Sequence, residues 1–243
     1  MSIAEKLTTI AENIPKVYEA GKASGMGGYE QGFNDGKNSV INLGELCQTI
    51  QFENFNVFGK SEVELNLQNC TDLRGLCSPK IAQNKNVTVE RLVINCNSPT
   101  NINGMLSANF NNARDYTLKH LTFNVNTANT TDVGYAFYGM SALEIIDGTP
   151  LDFSSVVTDV TISNVFHSCN ALVEVRFVPL TIKRKFNLQH SSRLSAESIQ
   201  SIIDGLADLT GQTTQTLYFY SDIVVKLTDE QMLQIINKNW EVM

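Results

Sequence analysis

Hydrophobic and polar residues alternate over short runs of this chain, and the runs recur at a fixed distance. Glu90-Arg-Leu-Val-Ile-Asn95 aligns residue for residue with Lys119-His-Leu-Thr-Phe-Asn124. The same offset, from 90 to 119, relates Gly75-Leu-Cys-Ser78 to Gly104-Met-Leu-Ser107, and Tyr135-Ala-Phe-Tyr-Gly-Met-Ser-Ala-Leu-Glu-Ile-Ile146 to Asn164-Val-Phe-His-Ser-Cys-Asn-Ala-Leu-Val-Glu-Val175. Val63-Glu-Leu-Asn-Leu67 reads as an earlier copy in looser register, and Phe52-Glu-Asn-Phe-Asn-Val-Phe58 as one earlier still. Alternation with period two is the mark of a strand with one buried face. A unit of about 29 residues is too short to bury its own core, so such units stack on their neighbours. The pattern therefore predicts an α/β solenoid of short parallel strands. Leu92 and Ile94, Leu121 and Phe123, and Leu172 with Val173 or Val175 are its inward positions. Phe137, Met140, Phe166 and Cys169 fill the layer behind, and the Asn-rich segments 97–103, 109–112 and 124–131 are turns.

The period changes at both ends. Ile3, Leu7, Ile10, Ile14 and Val17 follow a 4-3-4-3 spacing, which lines one seam of a helix. Read as heptads, Ile3, Ile10 and Val17 fall at d, where β-branched residues favour trimers or tetramers. This stripe predicts a coiled coil and a homo-oligomer, with the trimer favoured. Six Gly between Gly21 and Gly36 then predict a linker or a short helix. After Leu194, Ser195 is placed to cap a helix carrying Ile199, Ile202, Ile203, Leu206 and Leu209, stopped at Thr210-Gly211. Thr216-Leu-Tyr-Phe-Tyr-Ser221 is a β-prone run that adds a final strand. Thr228-x-x-Gln231 opens a second helix, with Trp240 as an apolar anchor. The expected organisation is an N-terminal helix over 1–22, a Gly-rich segment over 23–44, the stacked body over 45–193 and a capping module over 194–243.

Composition narrows the function. The chain has 243 residues, is 42% hydrophobic and carries a formal charge of −7, enough apolar content for a core. The acidic balance argues against nucleic acid as a partner. No run approaches the eighteen or more apolar residues of a membrane span, and the opening Met1–Lys6 predicts no secretory signal peptide. The five Cys, at 47, 70, 77, 96 and 169, are read as buried thiols rather than a disulfide framework.

Leu-rich strands preceded by Phe137-x-x-Met140-x-x-Leu143 and Phe166-x-x-Cys169-x-x-Leu172 resemble the BspA-like leucine-rich repeats. The helical tail from Leu194 to Trp240 and the Ile3–Gly21 opening resemble the short prophage- or phage-encoded members of that group. The resemblance implies a leucine-rich-repeat-like stack with an N-terminal coil and a C-terminal helical module. It further implies a non-enzymatic structural or adhesive protein of a phage tail, fibre or appendage, located in the virion and assembled in the bacterial cytoplasm. Its partners are then other virion proteins, or host-surface proteins or glycans. A bacterial BspA-like adhesin at the cell surface is the alternative, and a carbohydrate-active enzyme a second one.

The chemistry-bearing residues are sparse. His167 and Cys169 are two apart but lack the four ligands of structural zinc, so no metal, catalytic group or cofactor is expected. Gly25-x-Gly27-Gly28 follows no strand and makes no phosphate cradle. Glu62, Glu64, Asp152, Asp159 and Asp222 are scattered acids, whereas glycoside hydrolysis needs a pair in a cleft. Tyr116, Tyr135, Tyr138, Tyr218 and Tyr220 are candidate recognition aromatics. The expected binding residues are Tyr218, Tyr220, Lys183 and Arg184, the last two within the basic run Lys183-Arg-Lys185.

Overall fold

The computed structural model describes residues 62–74, 76, 89–106, 118–158, 162 and 164–243, together with the backbone of 38–42. Within these residues β1 (Asn38–Asn42), β2 (Glu62–Asn66), β3 (Arg91–Cys96), β4 (His120–Val125) and β5 (Ile145–Gly148) form a five-stranded sheet in chain order. Every neighbour in it is parallel. A second sheet, also parallel, joins β6 (Phe186–Leu188), β7 (Gln215–Phe219) and β8 (Trp240–Val242). Three helices accompany it: α1 (Ala196–Gly205), α2 (Ser221–Val224) and α3 (Asp229–Asn237). The fold is thus one of short parallel strands with few helices.

The register carries the alternation into three dimensions. Val63 lies opposite Leu92 and Leu92 opposite Leu121. Leu65, Ile94 and Phe123 form the next row, and the step from β2 to β3 equals that from β3 to β4. All six side chains are buried, so one face of the strands is interior throughout. From β4 to β5 the step shortens, with Leu121 opposite Ile146. The ladder then continues as a single parallel bridge, Ile145 to Glu174. Around it Leu172 and Val175 are buried and Val173 is only half so, which makes Val175 the inward residue. Phe137, Met140, Phe166 and Cys169 are all within 1% of complete burial. Close packing there is largely aromatic. Phe137 meets Phe123 edge-on at 5.8 Å and stacks on Phe166 at 5.3 Å, and Phe166 meets Phe177 and Phe186 at 6.2 and 6.0 Å. Each such pair adds about 0.5–1.5 kcal/mol beyond area burial. The buried residues make one cluster from Val63 to Trp240, so both sheets share an interior.

A sheet edge must be satisfied or covered, and α1 does this with serines. Ser195 caps the helix by accepting from the Ser198 amide at 3.1 Å. The Ser198 and Ser201 hydroxyls then accept from the amides of Val175 and Phe177, at 3.0 and 2.9 Å. A helix thus takes the place of the next strand. Thr228 and Gln231 make the reciprocal capping box predicted for α3.

Four expectations change. Residues 38–42, read as part of a linker or short helix, are a strand paired with β2; the β-branched Val40 and Ile41 suit it. Segment 124–131 begins as strand, because Asn124 and Val125 belong to β4. The first capping helix ends at Gly205 rather than near Leu209, because Leu206 is extended, at φ −62° and ψ 126°. β7 is not the last strand, since Trp240 opens β8 and lies beside it. β6, before residue 194, is hydrogen-bonded to β7 after it, so the capping module continues the pairing of the body. The helical stripe at residues 3–17, the Phe52–Phe58 copy and segment 109–112 lie outside the described residues. Among those described, no helix is long and apolar enough to cross a membrane.

Candidate functional site

The best-ordered cluster of half-buried rings is built by the turns that follow the buried layer. In Tyr135-Ala-Phe-Tyr-Gly-Met140 and Asn164-Val-Phe-His-Ser-Cys169, the repeat offset sets Tyr138 beside His167 just as it sets Phe137 beside Phe166. Two backbone bonds lock the register: the Phe137 amide donates to Val165 at 3.1 Å and the Gly139 amide to His167 at 2.8 Å. Gly139 has φ 76° and its counterpart Ser168 has φ 63°. The turn therefore demands a left-handed residue, natural for Gly and strained for Ser.

On the outer side of this layer the Tyr138 and His167 rings stack at 4.8 Å, only 5° from parallel. Tyr135 leans on Tyr138 at 5.4 Å. The next turn contributes His190, whose ring centre is 4.1 Å from that of His167 and whose Nε2 is 3.1 Å from His167 Nε2. Ser191 fixes that turn by donating from its hydroxyl to the Cys169 carbonyl at 3.2 Å. The result is a half-buried ladder of four rings on three successive turns, Tyr135, Tyr138, His167 and His190. Burial, then the charge of neighbouring His190, hold the His167 imidazole below its ordinary pKa. Cys169, two residues away, faces inward: its Sγ donates to the Phe137 carbonyl at 3.0 Å, and burial pushes its thiol up to about 12. It does not join the His167 ring, which stacks on Tyr138 instead.

The expected binding residues fall in two places. Lys183 is exposed and donates to the Ser154 carbonyl at 2.8 Å. Arg184 is half-buried, and its Nε has no hydrogen-bond partner among the described residues. Both precede β6, as does Lys185, whose ammonium lies 4.8 Å over the Tyr218 ring. Tyr218 pairs with Asn187 in the ladder. Tyr220 lies past the far end of β7, as the N-cap of α2. Register therefore joins Tyr218 to the basic run and separates Tyr220 from it. The stripe Ile3, Leu7, Ile10, Ile14 and Val17 lies outside the described residues.

The outward face of the larger sheet is complementary in charge. Glu62 meets Arg91 at 3.4 Å, Asn95 donates to Glu64 at 2.8 Å, Asn124 to Asn95 at 2.9 Å, and His120 meets Asp147 at 2.7 Å. Beside it Asp147, Glu174 and Arg176 line a cleft of about 260 Å³. Asp147 is held below its ordinary pKa: burial pushes it up, but hydrogen bonds from Thr122 and His120 and the charges of His120 and Arg91 outweigh it.

No protein-family model, curated protein or solved structure matches the chain. Tyr135 and Tyr138 are among the recognition aromatics expected from the sequence, but their partners His167 and His190, and the Asp147–Glu174 cleft, are not. The ladder's signal was there: the alignment that pairs Phe137 with Phe166 also pairs Tyr138 with His167. Its third turn was hidden, because His190 follows His167 at a shorter spacing than the repeat period.

Proposed function

We propose that the chain is a leucine-rich-repeat-like solenoid of the BspA-like kind, and that it works by presenting surface rather than by catalysis. In this reading it is a structural or adhesive component of a phage tail, fibre or appendage, held as a homo-oligomer by its N-terminal stripe. The observation that carries it is the equal step from β2 to β3 to β4, with like residues stacked row upon row. Such a stack buries each unit only against the next and offers a long, ordered outer face. The turn-borne rings and the Lys185–Tyr218 pair supply aromatic and basic contact groups, and oligomerisation multiplies weak contacts through avidity.

The solution mass of the full chain tests the oligomer. An oligomeric mass that falls to a single chain in Ile10→Asp/Ile14→Asp supports the reading, and a monomeric wild type refutes the appendage assignment. Binding to host-surface glycans tests the contacts: Lys183→Ala/Arg184→Ala weakens it, and unchanged affinity discards that patch. The cleft holding Asp147 and Glu174 favours one alternative, a carbohydrate-active enzyme. Glycan hydrolysis abolished in Glu174→Gln is the result that turns to it.

A further inference from the structure

His167 and His190 approach each other more closely by their nitrogens than by their ring centres, 3.1 Å against 4.1 Å. The two Nε2 atoms therefore lean together on the outer side of the ladder. Two imidazole nitrogens each ~2.05 Å from one metal ion and 3.1 Å apart subtend an angle of about 98°, between the square-planar and tetrahedral values. We propose that His167 and His190 form a two-imidazole chelate for a divalent transition metal, copper(II) foremost, whose remaining coordination positions take water or an external ligand.

The surroundings suit this use. Tyr138 stacked at 4.8 Å fixes the plane of His167, so little freedom is lost on binding. Gln189 Nε2 lies 3.3 Å from His190 Nε2 and, as a donor, makes that nitrogen the acceptor of the pair. The shared proton then belongs to His167 Nε2. On metal binding it moves to Nδ1 of the same ring, where Ser168 Oγ at 2.9 Å accepts it, and the Gln189 amide gives up its hydrogen bond to His190 Nε2 so that this lone pair binds the metal. That contact is the outer-shell hydrogen bond that orients a ligating imidazole. No proton leaves the protein, because both rings bind as neutral ligands. Among the described residues no third His, Cys, Asp or Glu completes a protein cage, so the site is open and weaker than a structural zinc centre. Copper(II) heads the choice because it stands highest in affinity for nitrogen ligands.

The test is a titration of the full chain with copper(II) chloride, followed by calorimetry and electron paramagnetic resonance. One equivalent bound with hyperfine structure from two equatorial imidazole nitrogens is expected. His190→Asn and His167→Asn each weaken that binding at least tenfold, and His120→Asn leaves it unchanged. Equal binding in His190→Asn, or a spectrum without two imidazole nitrogens, overturns the proposal. A readout on the wild-type chain guards against misfolded variants: zinc(II) must shift the ring resonances of His167 and His190 and spare those of His120. Shifts at His120 alone, or at no histidine, count against the site.

Discussion

In the larger sheet the steps from β2 to β3 and from β3 to β4 are equal, and like stacks on like: leucine beside leucine, Asn124 bonded to Asn95. In the smaller sheet the steps are unequal. Phe186 faces Leu217 and Gln215 faces Trp240, so the first step is longer than the second. There the connections are helices, closed by caps at Ser195 and Thr228. An equal step lets one side-chain solution be reused from strand to strand. An unequal step needs a local solution each time, and capped helices supply it. The two regions meet at Phe166, Phe177 and Phe186, where the periodic layer runs into the helical module.

The largest effect should come at that junction. Phe166→Ala removes a fully buried ring with three aromatic neighbours and is expected to cost about 3–5 kcal/mol in urea unfolding. If the sheets are one cooperative body, circular dichroism and Trp240 fluorescence will change in a single transition. Two separated transitions would divide the body from its cap.

The serine-covered edge comes next. Ser198→Ala/Ser201→Ala strips the acceptors from the Val175 and Phe177 amides, at about 1–3 kcal/mol for each group left unsatisfied. Hydrogen exchange should quicken at those two amides first. Unchanged protection there would mean that α1 covers the edge by packing alone.

A smaller, signed pair probes the turns. Gly139→Ala should destabilise by about 1 kcal/mol and Ser168→Gly should stabilise by a similar amount, since both positions have positive φ. Thermal melting decides it, and two changes of the same sign would break the equivalence of the turns.

The last effect is absent at neutral pH and is a pH dependence confined to alkali. Burial pushes the Cys96 thiol up to about 11 and the Cys169 thiol up to about 12, from an ordinary 9.0. The unfolded chain therefore ionises first. The stability these thiols contribute is fully present below pH 9 and is lost as pH rises from there through 11 and 12. In a Cys47→Ser/Cys77→Ser chain, urea midpoints should fall over that range. Thiol labelling at pH 8 should be slow and equal at Cys96 and Cys169, whereas unequal rates would show that the two regions open separately.

Much of the larger sheet was legible because each residue there reports its own environment. Leu92, Ile94, Leu121 and Phe123 alternate with polar neighbours, and a parallel register carries one strand's alternation to the next. The strand at 38–42 was obscured by the glycines before it, which weighed toward a linker. The early end of α1 was obscured because Leu206 and Leu209 keep helical spacing although Leu206 is extended. The basic run and both tyrosines were found as residues, but only the pairing of β6 with β7 decides that Tyr218 belongs with Lys185 and Tyr220 does not.

By itself the sequence determined the period, the inward residues and the caps at Ser195 and Thr228, since alternation, spacing and capping are properties of near neighbours along the chain. Only the tertiary structure decided that His190 comes beside His167, that Ser198 and Ser201 close the edge at Val175 and Phe177, and that both sheets share one interior. Those contacts join residues far apart along the chain with no common period between them, and they depend on where each turn and helix returns the chain.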